Sequence, residues 1–337
     1  MPASKKKQEY VKNELPYRLL VSVYEDSRAS LRGIGKRLGV SYHVVKSALR
    51  ELEGRYDIRY TLEIDETELG FTEGIIVTIK FGIKPGTDFI KETVRKDFFI
   101  QSAYLAEGDF DLLLYVVGVD NPDFQGWQWN FRVKLSRYKP TMKFANINTQ
   151  TLGFFPIRSE LVKETAELSK SEKAVLVALN ENSRVRLTEM AKRLRITPDR
   201  AVYIIKKLRK MGIIKRFSAL TQNPNKRIFY AYGVSLIPVE GHKALAAAMA
   251  KEILKEDLHE TVNDYSVVAN ANGGYDAFFI CAFKNGEDLS KRGPEMLRTT
   301  WIAEDPKIDR AMLTDIIVGK WPFHLEDYKQ YREIAKL

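Results

Sequence analysis

Apolar residues recur at helical spacing in two stretches of the chain. In the later one, Val175, Leu176, Ala178 and Leu179 form a helical stripe that Asn180-Glu181-Asn182-Ser183 breaks. Leu187, Met190, Ala191 and Leu194 follow at i, i+3, i+4 and i+7, which predicts a second short helix. Thr197-Pro198-Asp199 then reads as a helix start: a hydroxyl N-cap, proline at the first helical position and an acid in the first turn. The helix it opens turns Ala201, Ile204, Ile205, Leu208 and Met211 inward, and Asp199, Arg200, Tyr203, Lys206, Lys207 and Lys210 outward. Gly212 closes it. The earlier stretch repeats the pattern. Ser41 is its N-cap, Val45, Ala48, Leu49 and Leu52 face inward, and Tyr42, His43, Lys46, Ser47 and Arg50 face outward. Its turn carries Gly39 where the later stretch has Arg195. Two short helices, a tight turn and a third helix with a polar, basic outer face make a helix-turn-helix, whose last helix fits a major groove.

Behind each helical stretch the pattern changes to β-branched and continuous apolar runs. Residues 74–81 predict a strand, 87–96 a helix, 100–106 a strand, 110–117 a buried strand, 124–135 a helix and 142–147 a last strand. The later half gives the same order: strand 230–236, a longer helix over 241–256, strands 266–271 and 275–283, helix 289–297 and strand 308–313. That is β-α-β-β-α-β twice, the ferredoxin-like (RAM-like) pattern. The predicted class is α+β: two winged-helix or helix-turn-helix domains, each followed by a ferredoxin-like domain. Helices cover only one face of such a sheet, so pairing between the halves or between chains is expected.

Residue matches support a chain written twice. Ser27, Arg28, Leu31, Lys36-Arg37-Leu38 and Ser41 align with Ser183, Arg184, Leu187, Lys192-Arg193-Leu194 and Thr197 at an offset of 156. Gly108-Asp109-Phe110-Asp111 matches Gly273-Gly274-Tyr275-Asp276 at 165, and Gly153-Phe154-Phe155-Pro156 matches Gly319-Lys320-Trp321-Pro322 at 166. The expected division is 1–62 and 159–218 for the helix-turn-helix domains, and 63–158 and 219–337 for the sensor and dimerisation domains. A helical connector over 159–170 joins the copies.

Charge sharpens this picture. The 337 residues carry a net charge of +10. Residues 169–217 alone hold fourteen basic and four acidic residues, and residues 1–60 hold thirteen and seven. The positive charge therefore sits on the two helical stretches, the footprint of a nucleic-acid partner. The candidate DNA contacts are Ser41, Tyr42, His43, Lys46, Ser47 and Arg50 in the first unit. In the second they are Arg184, Arg186, Thr197, Arg200, Tyr203, Lys206, Lys207 and Lys210. The polar start with Lys5, Lys6 and Lys7 leads us to expect no secretory signal, and no apolar run is long enough to predict a membrane span. One cysteine, Cys281, fits a reducing cytoplasm. The four histidines are scattered, and no phosphate loop or metal-ligand spacing appears, so neither a cofactor, a metal nor an enzymatic activity is expected.

A helix-turn-helix followed by β-α-β-β-α-β, with Gly108-Asp109-Phe110-Asp111 between the middle strands, resembles the Lrp/AsnC family of transcription regulators. The resemblance implies a regulator of double-stranded DNA whose sensor halves pair as an internal pseudo-dimer or a homodimer. It also implies an amino-acid effector near the hairpins: Gly108, Asp109, Phe110 and Asp111, and Gly273, Gly274, Tyr275 and Asp276. Glycine in those turns serves backbone geometry equally well. The sirohaem decarboxylases resemble the same architecture and give a rival expectation. A ligand-free protein that coats DNA gives another.

Overall fold

The helix starts fold as their caps dictate. Thr197 accepts the Arg200 N–H at 3.2 Å, Pro198 occupies the first turn, and Ser30 accepts the Gly33 N–H at 3.0 Å. At the start of the connected second unit, Ser169 and Glu172 complete a reciprocal capping box. The structure, a computed structural model, describes residues 15–319 apart from 57, 72–73, 119–120, 153–154, 166–167, 222–227, 236–264, 284 and 292–306. The long helix expected over 241–256, the repeat residues after Gly319, Lys5 to Lys7, and His242, His259 and His324 lie outside them.

The first helical unit comprises α1 (Leu15–Glu25), α2 (Leu31–Leu38) and α3 (Tyr42–Tyr56), followed by β1 (Ile58–Ile64). Then come β2 (Gly74–Phe81), α4 (Thr87–Arg95), β3 (Ile100–Gly108), β4 (Leu112–Val117), α5 (Asn121–Leu135) and β5 (Pro140–Leu152). A short connector helix, α6 (Ser159–Glu164), leads to α7 (Lys170–Glu181), α8 (Leu187–Leu194), α9 (Pro198–Lys210) and β6 (Ile214–Thr221). The last strands are β7 (Ile228–Ser235), β8 (Tyr265–Gly273), β9 (Ala277–Phe283) and β10 (Lys307–Val318).

Within each half the strands run in the ferredoxin-like order, β5-β2-β4-β3 and β10-β7-β9-β8, all antiparallel. The expected pairing takes place inside one chain. Edge strand β5 joins β8 and edge strand β10 joins β3, closing a single eight-stranded barrel without free edges. Alternation along each strand splits the apolar residues: Ile76, Leu113, Tyr115, Phe278, Ile280 and Leu313 belong to the central core. Ile75, Val77, Leu112 and Leu114 pack outward with Ile90 and Val94 of α4 and Phe131 of α5.

The wing expected of each helical unit is different in kind. Among the described residues each unit has one strand, and these two strands, β1 and β6, pair with each other, centred on Thr61 opposite Ser218. The exchange is reciprocal: Thr61 Oγ1 donates to the Asn180 carbonyl of α7 at 2.8 Å, and Ser218 Oγ donates to the Tyr24 carbonyl of α1 at 2.7 Å. Matched residues meet beside it. The hydroxyls of Ser27 and Ser183, 156 positions apart, hydrogen-bond at 2.6 Å.

Candidate nucleic-acid interface

The outward faces of α3 and α9 are assembled by this frame. On α9, Ala201, Ile204 and Leu208 are fully buried, while Ile205 and Met211 are half-buried. The spacing of three and four residues leaves Arg200, Tyr203, Lys206 and Lys210 exposed together on the opposite face. Tyr203 is 56% exposed, unusual for an aromatic ring, and lies 5.3 Å from the Arg200 guanidinium. On α3, Val45, Leu49 and Leu52 are buried and Ala48 half-buried, with Tyr42, His43, Lys46, Ser47 and Arg50 exposed. The Tyr42 ring packs edge-on against His43 at 5.4 Å and under Lys46 Nζ at 5.9 Å. The Ser41 cap is looser than that of Thr197, accepting the Val44 N–H at 3.4 Å.

The turns before the two helices differ. Gly39 takes the left-handed conformation with φ 68°, where glycine pays no Cβ penalty; Arg195 takes it with φ 55°.

Two candidate contacts are engaged within the protein. Lys207 Nζ binds Glu172 Oε1 at 2.6 Å, and that carboxylate is 7% exposed. The Lys207 hydrogen bond, against the desolvation of burial and aided by Ser169, holds the Glu172 carboxyl well below its ordinary value, at about 2. Arg184 lies half-buried over the Tyr60 ring at 4.8 Å and donates to its hydroxyl at 3.3 Å. Its counterpart Arg28 packs over Phe217 at 5.6 Å and donates to the Ser183 carbonyl at 2.7 Å. Arg184 and Lys207 thus hold the units in place rather than standing free for phosphate. Arg186 and Thr197 are exposed at the starts of α8 and α9.

The strand exchange also corrects the charge count. β1 and the residue after it bring acids from outside both counted stretches onto the second unit, where Asp65 pairs with Lys215 at 3.0 Å and Glu63 with Arg216. Arg193 reaches Glu181 at 3.8 Å. Arg200, Lys206 and Lys210 of α9 remain among the exposed cations of the second unit.

The two hairpins lie at the barrel's seams. A Cβ on Gly108 would meet the Arg310 carbonyl at 2.4 Å, and one on Gly273 the Phe144 carbonyl at 2.8 Å, so both positions need glycine. Asp109 accepts the Arg310 N–H at 2.9 Å and its own N–H donates to the Arg310 carbonyl at 2.9 Å. Asp111 accepts the Phe81 N–H at 2.9 Å and pairs with Lys80 at 3.1 Å. Gly274 N–H donates to the Phe144 carbonyl at 2.6 Å, and Asp276 N–H to that of Val234 at 2.8 Å. Phe110 and Tyr275 are buried. Among the described residues, no group of three or more His, Cys, Asp or Glu is placed to hold a metal ion, and no helix is long and apolar enough to cross a membrane.

The geometry defines a winged-helix type of DNA-binding protein, and similarity to known proteins agrees. The family model of winged helix-turn-helix DNA-binding domains matches residues 168–215. An HTH-type transcriptional regulator of Pyrococcus furiosus is 30% identical over 124 residues, 37% of this chain and 78% of that protein. Another from the same organism is 28% identical over 127 residues, again 37% and 78%. The chain belongs to the HTH-type transcriptional regulators, and double-stranded DNA is the partner that family implies. Over its whole length the fold is similar to that of the sirohaem decarboxylase NirDL, with a TM-score of 0.58, 14% identity, and 96% of this chain and 99% of that one covered. That likeness is one of fold.

Proposed function

We propose that this regulator is an Lrp/AsnC-type protein that arose by tandem duplication. Its division would be 1–62, 63–158, 159–218 and 219–337, and it would act in the cytoplasm. In this reading both helix-turn-helix units bind one duplex, with α3 and α9 in successive major grooves roughly 34–36 Å apart. The paired β1 and β6 strands fix their mutual orientation. Because the outward residues of α3 and α9 differ, the operator is asymmetric. The observation that carries the reading is the outward face of α9, where Arg200, Tyr203, Lys206 and Lys210 stand exposed on a helix whose inner face is fully packed. Footprinting the purified protein on the DNA upstream of its own gene tests it. A protected region with two unequal half-sites is the expected result, and no protection beyond that on random DNA of equal length contradicts it.

An amino-acid effector at the hairpins would act on the barrel seams, since these turns bond to the opposite half. Calorimetric titration with the amino acids, with and without DNA, checks that part. A second reading, a sirohaem-decarboxylase-like enzyme, is favoured by one observation: the likeness to that enzyme's fold spans the whole chain. An absorbance change on mixing with an iron tetrapyrrole, followed by release of carbon dioxide, would favour it over the regulator.

A further inference from the structure

We propose that the two barrel halves are matched as unlike partners, so that the β2–β5 half accepts the β7–β10 half and rejects a second copy of itself. The inference rests on reading the chain as a duplicated unit. Its basis is a polar cluster where the halves meet. Lys143 stands opposite Thr78 in the β5–β2 pair, and Asp309 stands opposite Gly233 in the β10–β7 pair. Two residues further on, Ala145 pairs with Gly273 and Ala311 with Gly108, across the seams. Lys143 and Asp309 therefore hold the same position in the two halves, as do Thr78 and Gly233, and Phe110 and Tyr275.

At each of these three positions the halves differ, and the differences interlock. Lys143 and Asp309 form an ion pair. Tyr275 donates its hydroxyl to Asp309 Oδ2 at 2.8 Å and shares a 2.7 Å hydrogen bond with Thr78 Oγ1 of the other half. Lys143 Nζ also lies 5.1 Å from the Tyr275 ring centre. A Cβ on Gly233 would come within 2.5 Å of that ring, so the tyrosine needs glycine beneath it in its own half.

Two first halves would set Lys143 against Lys143, with Phe110 supplying no hydroxyl. Two second halves would set Asp309 against Asp309, with Gly233 in place of the Thr78 hydroxyl. Both groups are half-buried, Lys143 at 33% and Asp309 at 17% exposure, so like charges there repel with less screening than on the open surface. Specificity by such repulsion needs no change in the surrounding apolar packing.

Charge reversal in the full-length chain tests this by thermal melting without DNA, so its outcome is independent of whether the chain binds an operator. Lys143→Asp and Asp309→Lys should each lower the Tm. The chain carrying both reversals should recover part of the loss, because the ion pair is restored in the opposite sense while the Tyr275 hydroxyl loses its acceptor and its ring the lysine. Losses that simply add in the double variant would overturn the proposal. If either reversal prevents folding, the neutral pair Lys143→Met and Asp309→Asn gives the same cycle. There a double variant no less stable than the worse single one supports matched partners, and additive losses overturn them.

Discussion

The two helical units share an outline and differ in what holds them. The first has a core of its own, built on Leu19, Val23, Ile34, Val45 and Leu49 and completed by Ala219 and Leu220 of the exchanged strand β6. In the second, Leu176, Ile204 and Leu208 belong to the same continuous core as Phe155, Leu161 and the barrel interior. Helix α9 is thus positioned by the barrel, whereas α3 is positioned through the β1–β6 pair. Charge follows the same division. The exposed face of α9 is basic, while α3 interposes Glu51 between Arg50 and its end, and Glu53 accepts the Tyr60 hydroxyl.

Truncating the core should show the difference most strongly. Leu208→Ala and Leu49→Ala each remove a buried side chain at a cost of roughly 2–5 kcal/mol. Hydrogen exchange should find Leu49→Ala loosening α1 to α3 while the barrel amides keep their protection, and Leu208→Ala weakening both. Equal loss of barrel protection in the two variants would erase the distinction.

Glu172 links α7 to α9 in the second unit alone. Its folded carboxyl is depressed to about 2, so the stability it contributes is present above its ordinary value near 4.5 and is lost as the pH falls through about 2. Denaturant titrations from pH 5 to pH 2 should show a decline that Glu172→Gln reduces.

The caps should give a smaller effect with the same sign of asymmetry. Thr197→Ala should cost about 1 kcal/mol. Ser41→Ala should cost less, given its longer bond, as chemical denaturation can measure. The turns give the smallest effect: Arg195→Gly should stabilise the fold by up to about 1 kcal/mol by relieving the left-handed conformation, whereas Gly39→Ala should destabilise it. Opposite signs for the two turns are the expected outcome in paired melts.

Much of the fold was legible in the chain because it is local. Thr197-Pro198 marks α9 by its own chemistry, and the run from Leu112 to Val117 marks a buried strand by composition. What escaped is non-local. Nothing near Ile58–Ile64 or Ile214–Thr221 says that these strands pair with each other, because the partner lies some 150 residues away. The repeated Ser27 and Ser183 were visible as a match, yet not as a contact. The same exchange moved Glu63 and Asp65 onto the second unit, which a count by segment assigns to the wrong place. Lys207 and Arg184 look like free cations in the sequence because their partners, Glu172 and Tyr60, come from other elements. The outward faces of α3 and α9 could be read directly, since helical period alone decides them.

The larger contribution to DNA binding expected of α9 is tested by a salt series of binding titrations, read by fluorescence anisotropy. The full-length chain is compared with its Arg200→Ala, Lys206→Ala, Lys210→Ala triple variant. Binding should weaken, and the log–log salt dependence should flatten by about 0.9 for each phosphate no longer neutralised. The matching first-unit variant, His43→Ala, Lys46→Ala, Arg50→Ala, should change both less. A second-unit variant with the affinity and salt dependence of the unaltered chain would contradict the assignment of α9 as the main DNA-binding helix.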